Sequence, residues 1–212
     1  SPYYADDLTR LKGAETNLER RYEALAVPDI QAACDLLDPV YERSGGQDGY
    51  VSLEVAPRWA NDAFKTVEEA QRLAAAVNRR NLLVKVPGTP AGVQAFEALT
   101  ALGVNVNVTL LFSLAQTQAI FDAYIRGLTA RARAGIDIRK SRAVASLFLS
   151  RVDTLVDAQL DAIGTQAALA MRGKAAVAMA KLAYQAYLAT FRGPAFAALA
   201  QQGAAPQTLL WA

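Results

Sequence analysis

Leu82-Leu-Val-Lys-Val-Pro87 places one lysine inside a short apolar run rich in Val and Leu. Such a run reads as a strand of a parallel sheet, buried on both faces. Burial strips water from an ammonium and favours the neutral amine, which is a nucleophile. At an unperturbed pKa of about 10.4, roughly one lysine in 2,500 is neutral at pH 7; at a pKa of about 7, half are. Lys85 is therefore either a Schiff-base lysine or a side chain that snorkels to solvent from a strand end. The neighbouring strands have to decide between the two.

The stretch 50–55 alternates, with Val51, Leu53 and Val55 on one face and Tyr50, Ser52 and Glu54 on the other. The stretch 104–112 alternates again: Val104, Val106, Val108 and Leu110 oppose Asn105, Asn107 and Thr109. A further strand is expected over 143–149, with Ser146 and Phe148 sharing a face, and a last one begins at Thr208. Helices are expected between them. One runs over 28–43 with Pro28 in its first turn, and residues 1–26 form helical pieces without a clear register. Thr66-Val-Glu-Glu69 reads as a capping box opening a helix to Val77. Thr89 with Pro90 starts the next helix, which Gly103 ends, and Ser113 with Gln116 is a second capping box heading a long helix to about Ala134. Helices over 152–162 and 166–191 follow, the second rich in alanine, and then a short one to Gln202.

Strand and helix thus alternate at regular spacing, which implies a parallel sheet with right-handed crossovers. The polar positions select the kind of sheet. Ser52 and Glu54, then Asn105, Asn107 and Thr109, then Ser146, all lie on one face of their strands. In a doubly wound sheet both faces meet helices and should be apolar; in a (β/α)8 barrel one face points inward and carries the chemistry near the strand C-termini. The expectation is a (β/α)8 TIM barrel with a polar, lysine-centred interior. Residues 1–212 read as a single domain.

Composition narrows the chemistry. The chain has 212 residues, 53 % hydrophobic and 20 % charged, which suits a globular core. Its net charge is +2 without a basic cluster, so no nucleic-acid partner is expected. No apolar run reaches the length of a membrane span. Cys34 is the one cysteine, which excludes an intrachain disulfide, fits a cytoplasmic location, and suits a small buried hydrophobe on a helix face. There is no histidine, so a Ser-His-Asp triad, a Cys-His pair and a histidine metal site are excluded within this chain.

Imine chemistry needs a neutral lysine, a group that moves protons, and polar groups that hold a carbonyl substrate. Lys85 can be the first. Glu54 can be the second, because a partly desolvated carboxyl has a raised pKa. Asn107 and Thr109 can bind hydroxyls or order a water. Against this stands a plain buried ion pair of Glu54 with Lys85.

At these residues the chain resembles a known family. Val51-Ser-Leu-Glu-Val55, Leu83-Val-Lys-Val-Pro87, Asn105-Val-Asn-Val-Thr-Leu-Leu-Phe-Ser113 and Ala145-Ser-Leu-Phe-Leu-Ser-Arg-Val-Asp153 together are similar to the transaldolases. They look most like a longer bacterial branch sometimes fused to glucose-6-phosphate isomerase, which Arg172-Gly-Lys-Ala-Ala176 and Lys181-Leu-Ala-Tyr-Gln185 also fit. The resemblance implies a class I aldolase-type barrel that uses neither metal nor organic cofactor. It implies transfer of a dihydroxyacetone unit between sugar phosphates in the pentose phosphate pathway, by a cytoplasmic monomer or homodimer.

By motif, Lys85 resembles the Schiff-base lysine, and Glu54 the glutamate that works with Thr109 through a water. Asn107 and Ser146 resemble the residues that hold the dihydroxyacetone hydroxyls. Phe148 resembles the aromatic wall beside the water, where simple aldolases of the family tend to carry Tyr. Arg151 resembles a phosphate-binding arginine, provided the chain turns after Leu149; the other reading pairs it with Asp153 at the surface. The family's first two strands, which bring an aspartate for carbon–carbon cleavage and a Thr-Ser-Asn-Pro motif, have no match here, nor has the closing strand. Five strands cannot close an eight-stranded barrel, so the chain is expected to be part of a longer one. Two alternatives remain: a Schiff-base aldolase that releases free dihydroxyacetone, and an inactive barrel that only binds sugar phosphates.

Overall fold

The computed structural model describes residues 2–14 and 17–212. The described chain divides into two compact units, Ser1–Leu53 with Arg72–Leu83, and Glu54–Gln71 with Val84–Ala212.

The first unit holds α1 (Ala5–Ala14), α2 (Leu18–Arg43), most of β1 (Val51–Glu54), the end of α3 (Ala63–Val77) and the start of β2 (Leu82–Pro87). Helix α2 starts ten residues earlier than the expected first turn at Pro28, which lies inside it together with Pro39. The signal that starts it is Asn17, whose side chain accepts from the N–H groups of Glu19 and Arg20. A proline removes one helix donor, but α2 is tied along its length to the rest of its unit. Arg72 pairs with Glu23, and Gln31 Nε2 donates to Val77 O at 3.1 Å. Arg79 is bidentate on Asp35, and Arg80 on Asp38. Asn81, 1 % exposed, donates to Cys34 O at 2.8 Å and Gly49 O at 2.9 Å. At the head of β1, Val51 N–H donates to Asn81 O.

The second unit carries the rest of β1, β2 and α3, then α4 (Pro90–Leu102), β3 (Val106–Leu111), α5 (Leu114–Arg133), β4 (Ala143–Leu147), α6 (Ser150–Ile163), α7 (Gln166–Leu169), α8 (Ala175–Phe191), α9 (Pro194–Ala200) and β5 (Thr208–Trp211). The strand order is β1-β2-β3-β4-β5, and β2, β3, β4 and β5 pair in parallel. Sequential strands that stay neighbours, each followed by helix, are how consecutive units of a (β/α)8 barrel are arranged; a doubly wound sheet reverses its order. The expected fold class is met.

The core of this unit lies between its helices and the sheet. Phe96 and Leu99 of α4, and Ile120, Phe121, Tyr124 and Leu128 of α5, are fully buried. Tyr124 stacks on Phe96 with ring centroids 6.0 Å apart and donates to Ala205 O at 3.1 Å, and Phe191 of α8 packs edge-on against Phe121 at 5.3 Å. Gly127 allows α5 to approach α4: a Cβ there would stand 2.6 Å from Thr100 Cβ.

Several local expectations are corrected. Thr66 does not cap α3. Asp62 does, accepting from Lys65 N–H at 2.9 Å, while Thr66 sits inside the helix, fully buried, and donates to Trp59 O at 2.8 Å. The alanine-rich helix over 166–191 is two helices. The chain turns at Gly173 (φ 67°), whose N–H donates to the Asp157 carboxylate, and Asp153 accepts from Ala176 N–H at 2.8 Å to start α8. Strand β4 stops at Leu147, so Phe148 lies past its end. Strict alternation in β3 fails at Leu110, which takes φ 61° in a bulge, and Leu111 is the fully buried residue instead. Among the described residues no helix is long and apolar enough to cross a membrane.

Candidate functional site

Every residue singled out by sequence as a site candidate lies in the second unit. The parallel register puts Lys85 beside Asn107 and Pro87 beside Thr109. Partners in such a ladder point to the same face, so Lys85 and Asn107 are neighbours on one side of the sheet. Asn107 is in turn registered with Val144, two residues before Ser146. Ser146 Oγ donates to Asn107 Oδ1 at 2.8 Å, both side chains being buried.

Lys85 interrupts its strand's burial as well as its polarity. Leu82, Leu83, Val84, Val86 and Pro87 are buried, while the Lys85 side chain keeps 28 % of its exposure. Its Nζ stands 3.7 Å from Glu54 Oε2, and the Glu54 side chain is 50 % exposed. The pair is thus solvated, and such a contact contributes little to stability. What it does is hold a carboxylate and an amine side by side, Glu54 at the end of β1 and Lys85 two residues before the end of β2. Val55 N–H donates to Lys85 O at 3.1 Å, fixing Glu54 next to the lysine strand. Thr109 is 1 % exposed.

The ends of β2 and β3 are linked beyond the ladder. Gly88 N–H donates to Thr109 O at 2.8 Å. A Cβ on Gly92, in the first turn of α4, would stand 1.8 Å from Pro87 O, so only glycine lets that helix start against the strand end. Thr89 caps α4 by accepting from Gly92 N–H, as the sequence predicts. Ser113 likewise caps α5, accepting from Gln116 N–H at 3.2 Å. The Gln116 side chain does more than complete a capping box. Its Nε2 donates to Gly88 O and its Oε1 accepts from Phe112 N–H, each at 3.1 Å. Sequence alone shows the cap, because Ser-x-x-Gln is a local pattern; the reach to Gly88 belongs to the tertiary structure.

Phe148 and Arg151 lie together past the end of β4. The chain turns after Leu149 into α6, and the Arg151 guanidinium lies 4.8 Å over the Phe148 ring. Phe112 lies 5.2 Å from the same ring. Phe148 N–H donates to Leu111 O at 2.9 Å, which fastens this aromatic pair to the end of β3. Asp153, the alternative partner for Arg151, instead caps α8. Among the described residues no group of three or more His, Cys, Asp or Glu side chains is placed to hold a metal ion.

The arrangement offers an amine beside a carboxylate, a hydrogen-bonded Asn–Ser pair on the next strands, a buried threonine hydroxyl, and a cation backed by aromatic rings. These parts suit a carbonyl compound that carries hydroxyls and an anionic group. Residues 1–199 match the sequence profile described as Transaldolase/Fructose-6-phosphate aldolase. The chain is 71 % identical over 212 residues to the transaldolase of Thiobacillus denitrificans, covering 100 % of this chain and 59 % of that protein. It is 47 % identical over 209 residues to the transaldolase of Neisseria gonorrhoeae, covering 99 % of this chain and 58 % of that protein. To transaldolase 1 of Streptomyces avermitilis it is 44 % identical, covering 99 % of this chain and 55 % of the relative. The chain therefore spans a little under three fifths of the length of these relatives.

Proposed function

The chain belongs to the transaldolase/fructose-6-phosphate aldolase family, and from that premise we propose that it is the central part of a transaldolase. The full protein moves a dihydroxyacetone unit from a ketose phosphate, sedoheptulose 7-phosphate or fructose 6-phosphate, to an aldose phosphate. It works in the pentose phosphate pathway of the cytoplasm, as a monomer or homodimer, and without a cofactor. Residues 1–212 belong to one β/α-barrel domain.

The Lys85 amine attacks the ketose carbonyl, and water leaves to give an imine. Glu54 moves the protons of that step through a water held by Thr109. Scission of the bond between C3 and C4 releases the first aldose phosphate and leaves the three-carbon unit on Lys85 as an enamine. The proton lost from the C4 hydroxyl goes to a carboxylate that the family resemblance puts outside this stretch. Asn107 and Ser146 hold the hydroxyls of the retained unit, and Arg151 takes the phosphate. The enamine carbon then attacks the second aldehyde, and hydrolysis of the new imine returns Lys85.

The observation that carries this reading is Lys85 Nζ, 3.7 Å from Glu54 and in register with Asn107. The test is intact-mass spectrometry of the full-length protein after fructose 6-phosphate and borohydride. A gain of one reduced dihydroxyacetone unit, absent from Lys85→Arg, is expected, since a guanidinium keeps the charge without forming an imine. No adduct on the unsubstituted protein overturns the reading. Release of dihydroxyacetone without dependence on an acceptor aldehyde would assign the aldolase reaction instead.

A further inference from the structure

We propose that Gln116 is a positioning residue for the proposed Schiff-base chemistry: its carboxamide sets Thr109 beside Pro87, two residues beyond Lys85, by fastening the ends of β2 and β3 together. The inference rests on the function proposed above and adds to it a residue outside the reacting set.

Three observations converge on this one side chain. First, β3 is irregular where Thr109 stands. Its register with β4 runs Val106↔Ala143, Asn107↔Val144, Val108↔Ala145 and then skips to Leu111↔Leu147, which leaves one extra residue on β3. Leu110 absorbs it with φ 61°, a conformation that costs a residue bearing a Cβ. A bulge leaves ladder groups unpaired and bends its strand, so the ladder alone does not hold the residues beside it. Thr109 is next to that bulge.

Second, the Thr109 carbonyl is held from the β2 side by the Gly88 N–H at 2.8 Å. Gly88 lies three residues after Lys85 and has no side chain to anchor it. The Leu111 side chain fills the space where its Cβ would be, with Cδ2 2.3 Å from that position. Third, Gln116 holds the other end of the same residue: Nε2 donates to Gly88 O at 3.1 Å, and Oε1 accepts from Phe112 N–H at 3.1 Å. One planar group thus spans the strand bearing Lys85 and the strand bearing Thr109. It needs a donor at one end and an acceptor at the other, which Gln supplies and neither Leu nor ionised Glu does. Gln116 is itself positioned by α5, whose Ser113 cap accepts from its N–H.

The chain of contacts is Gln116, Gly88, Thr109, and it ends on the backbone carbonyl of the residue whose hydroxyl holds the water in the proposed imine formation. It touches neither Asn107 nor Ser146, and its other end bonds the Phe112 backbone N–H rather than the ring that lies against Phe148. Removing it therefore slows the covalent steps and leaves ground-state binding of the substrate in place. Misplacement of a reacting group by about 1 Å can cost on the order of a hundredfold in rate, so a loosened strand end is expected to cost roughly tenfold.

The experiment uses the full-length protein with Gln116→Leu, Gln116→Glu and Lys85→Arg. Steady-state kinetics, the rate of borohydride-trapped adduct formation at Lys85 and the thermal midpoint are measured on each. For Gln116→Leu we expect kcat and the trapping rate to fall together by roughly tenfold, with KM within about twofold and the same final extent of adduct. An unchanged kcat, or a loss carried by KM alone, overturns the proposal. If Gln116→Leu does not fold, Gln116→Glu decides. Its carboxyl regains a donor when protonated, so its activity relative to the unsubstituted protein rises as pH falls toward about 5. A flat ratio across that range overturns the proposal. An unsubstituted protein that forms no adduct overturns the transaldolase reading, and this inference with it; a normal adduct with indifferent Gln116 variants overturns the inference alone.

Discussion

Helices α2 and α5 are both long, yet they are held in opposite ways. Across Leu18–Arg43 of α2, Cys34 is the one buried residue. Across Leu114–Arg133 of α5, Thr117, Ile120, Phe121, Ala123, Tyr124, Gly127 and Leu128 are all buried. The first helix is fastened to its unit by arginine–carboxylate pairs and a few buried hydrogen bonds, the second by apolar packing. Apolar burial is insensitive to charge state and is strengthened rather than screened by salt. Ion pairs at the surface are neither. The two helices should therefore fail under different conditions, each within its own unit.

The sharpest break is expected in α5. Phe121→Ala removes a fully buried ring that packs edge-on to Phe191 and Tyr187, and should cost about 3–5 kcal/mol, read from denaturant unfolding of the second unit. A cost below about 1 kcal/mol would mean that the apolar face of α5 is not what holds it. Next comes Asn81→Ala, which leaves the carbonyls of Cys34 and Gly49 without their donor and should cost about 1–3 kcal/mol. Hydrogen exchange should place that loss in α2; a uniform loss over the chain would contradict the local role.

Acid sharpens the comparison further. The hydrogen bond from Arg79 holds the Asp35 carboxyl below the usual carboxylate range, and Arg80 does the same to Asp38. A carboxyl lowered in the folded state stabilises it above the unfolded pKa, about 3.9, and that contribution disappears as pH falls through the folded value. Below about pH 4, amide protection in α2 should fade before that of α5. Arg139 holds Asp137 down to about 2, but that partner is two residues away and the pair fastens only its own turn. Equal loss of protection in both helices would remove the distinction.

The smallest effect is that of salt. The Debye length shrinks from about 10 Å at 0.1 M to about 3 Å at 1 M. Cys34 reports on it, because it is the fully buried residue of α2 itself and burial pushes its thiol up, so alkylation is slow while the helix is seated. Its alkylation should quicken modestly at high salt, and more in the Arg79→Gln, Arg80→Gln double variant. A rate independent of both would assign the seating of α2 to its hydrogen bonds alone.

Much of the sheet was legible because strand and cap signals are local. The apolar run at Lys85, the caps at Thr89 and Ser113, and the terminating Gly103 all read correctly from neighbouring residues. The errors share a cause: a distant partner outvoted a local pattern. Thr66 had the pattern of a cap, but the Trp59 carbonyl claimed its hydroxyl and Asp62 took the role. Pro28 had the pattern of a helix start, but Asn17 starts the helix and tethers from α3 and the loop after it hold it through the proline. The alanine-rich run had the pattern of one helix, but Asp153 and Asp157 of α6 stabilise the turn that divides it.

By itself the sequence determined the alternation of strand and helix, the polar face, and the candidates Glu54, Lys85, Asn107, Thr109, Ser146, Phe148 and Arg151. Period-two patterns, caps and motifs are properties of adjacent residues, and no tertiary contact is needed to see them. Only the tertiary structure decided that Lys85 remains partly solvated beside Glu54, that Leu110 rather than a glycine carries the bulge in β3, and that Gln116 joins two strand ends. Register, exposure and side-chain reach depend on residues far apart in the chain meeting at fixed distances, and no local pattern encodes those distances.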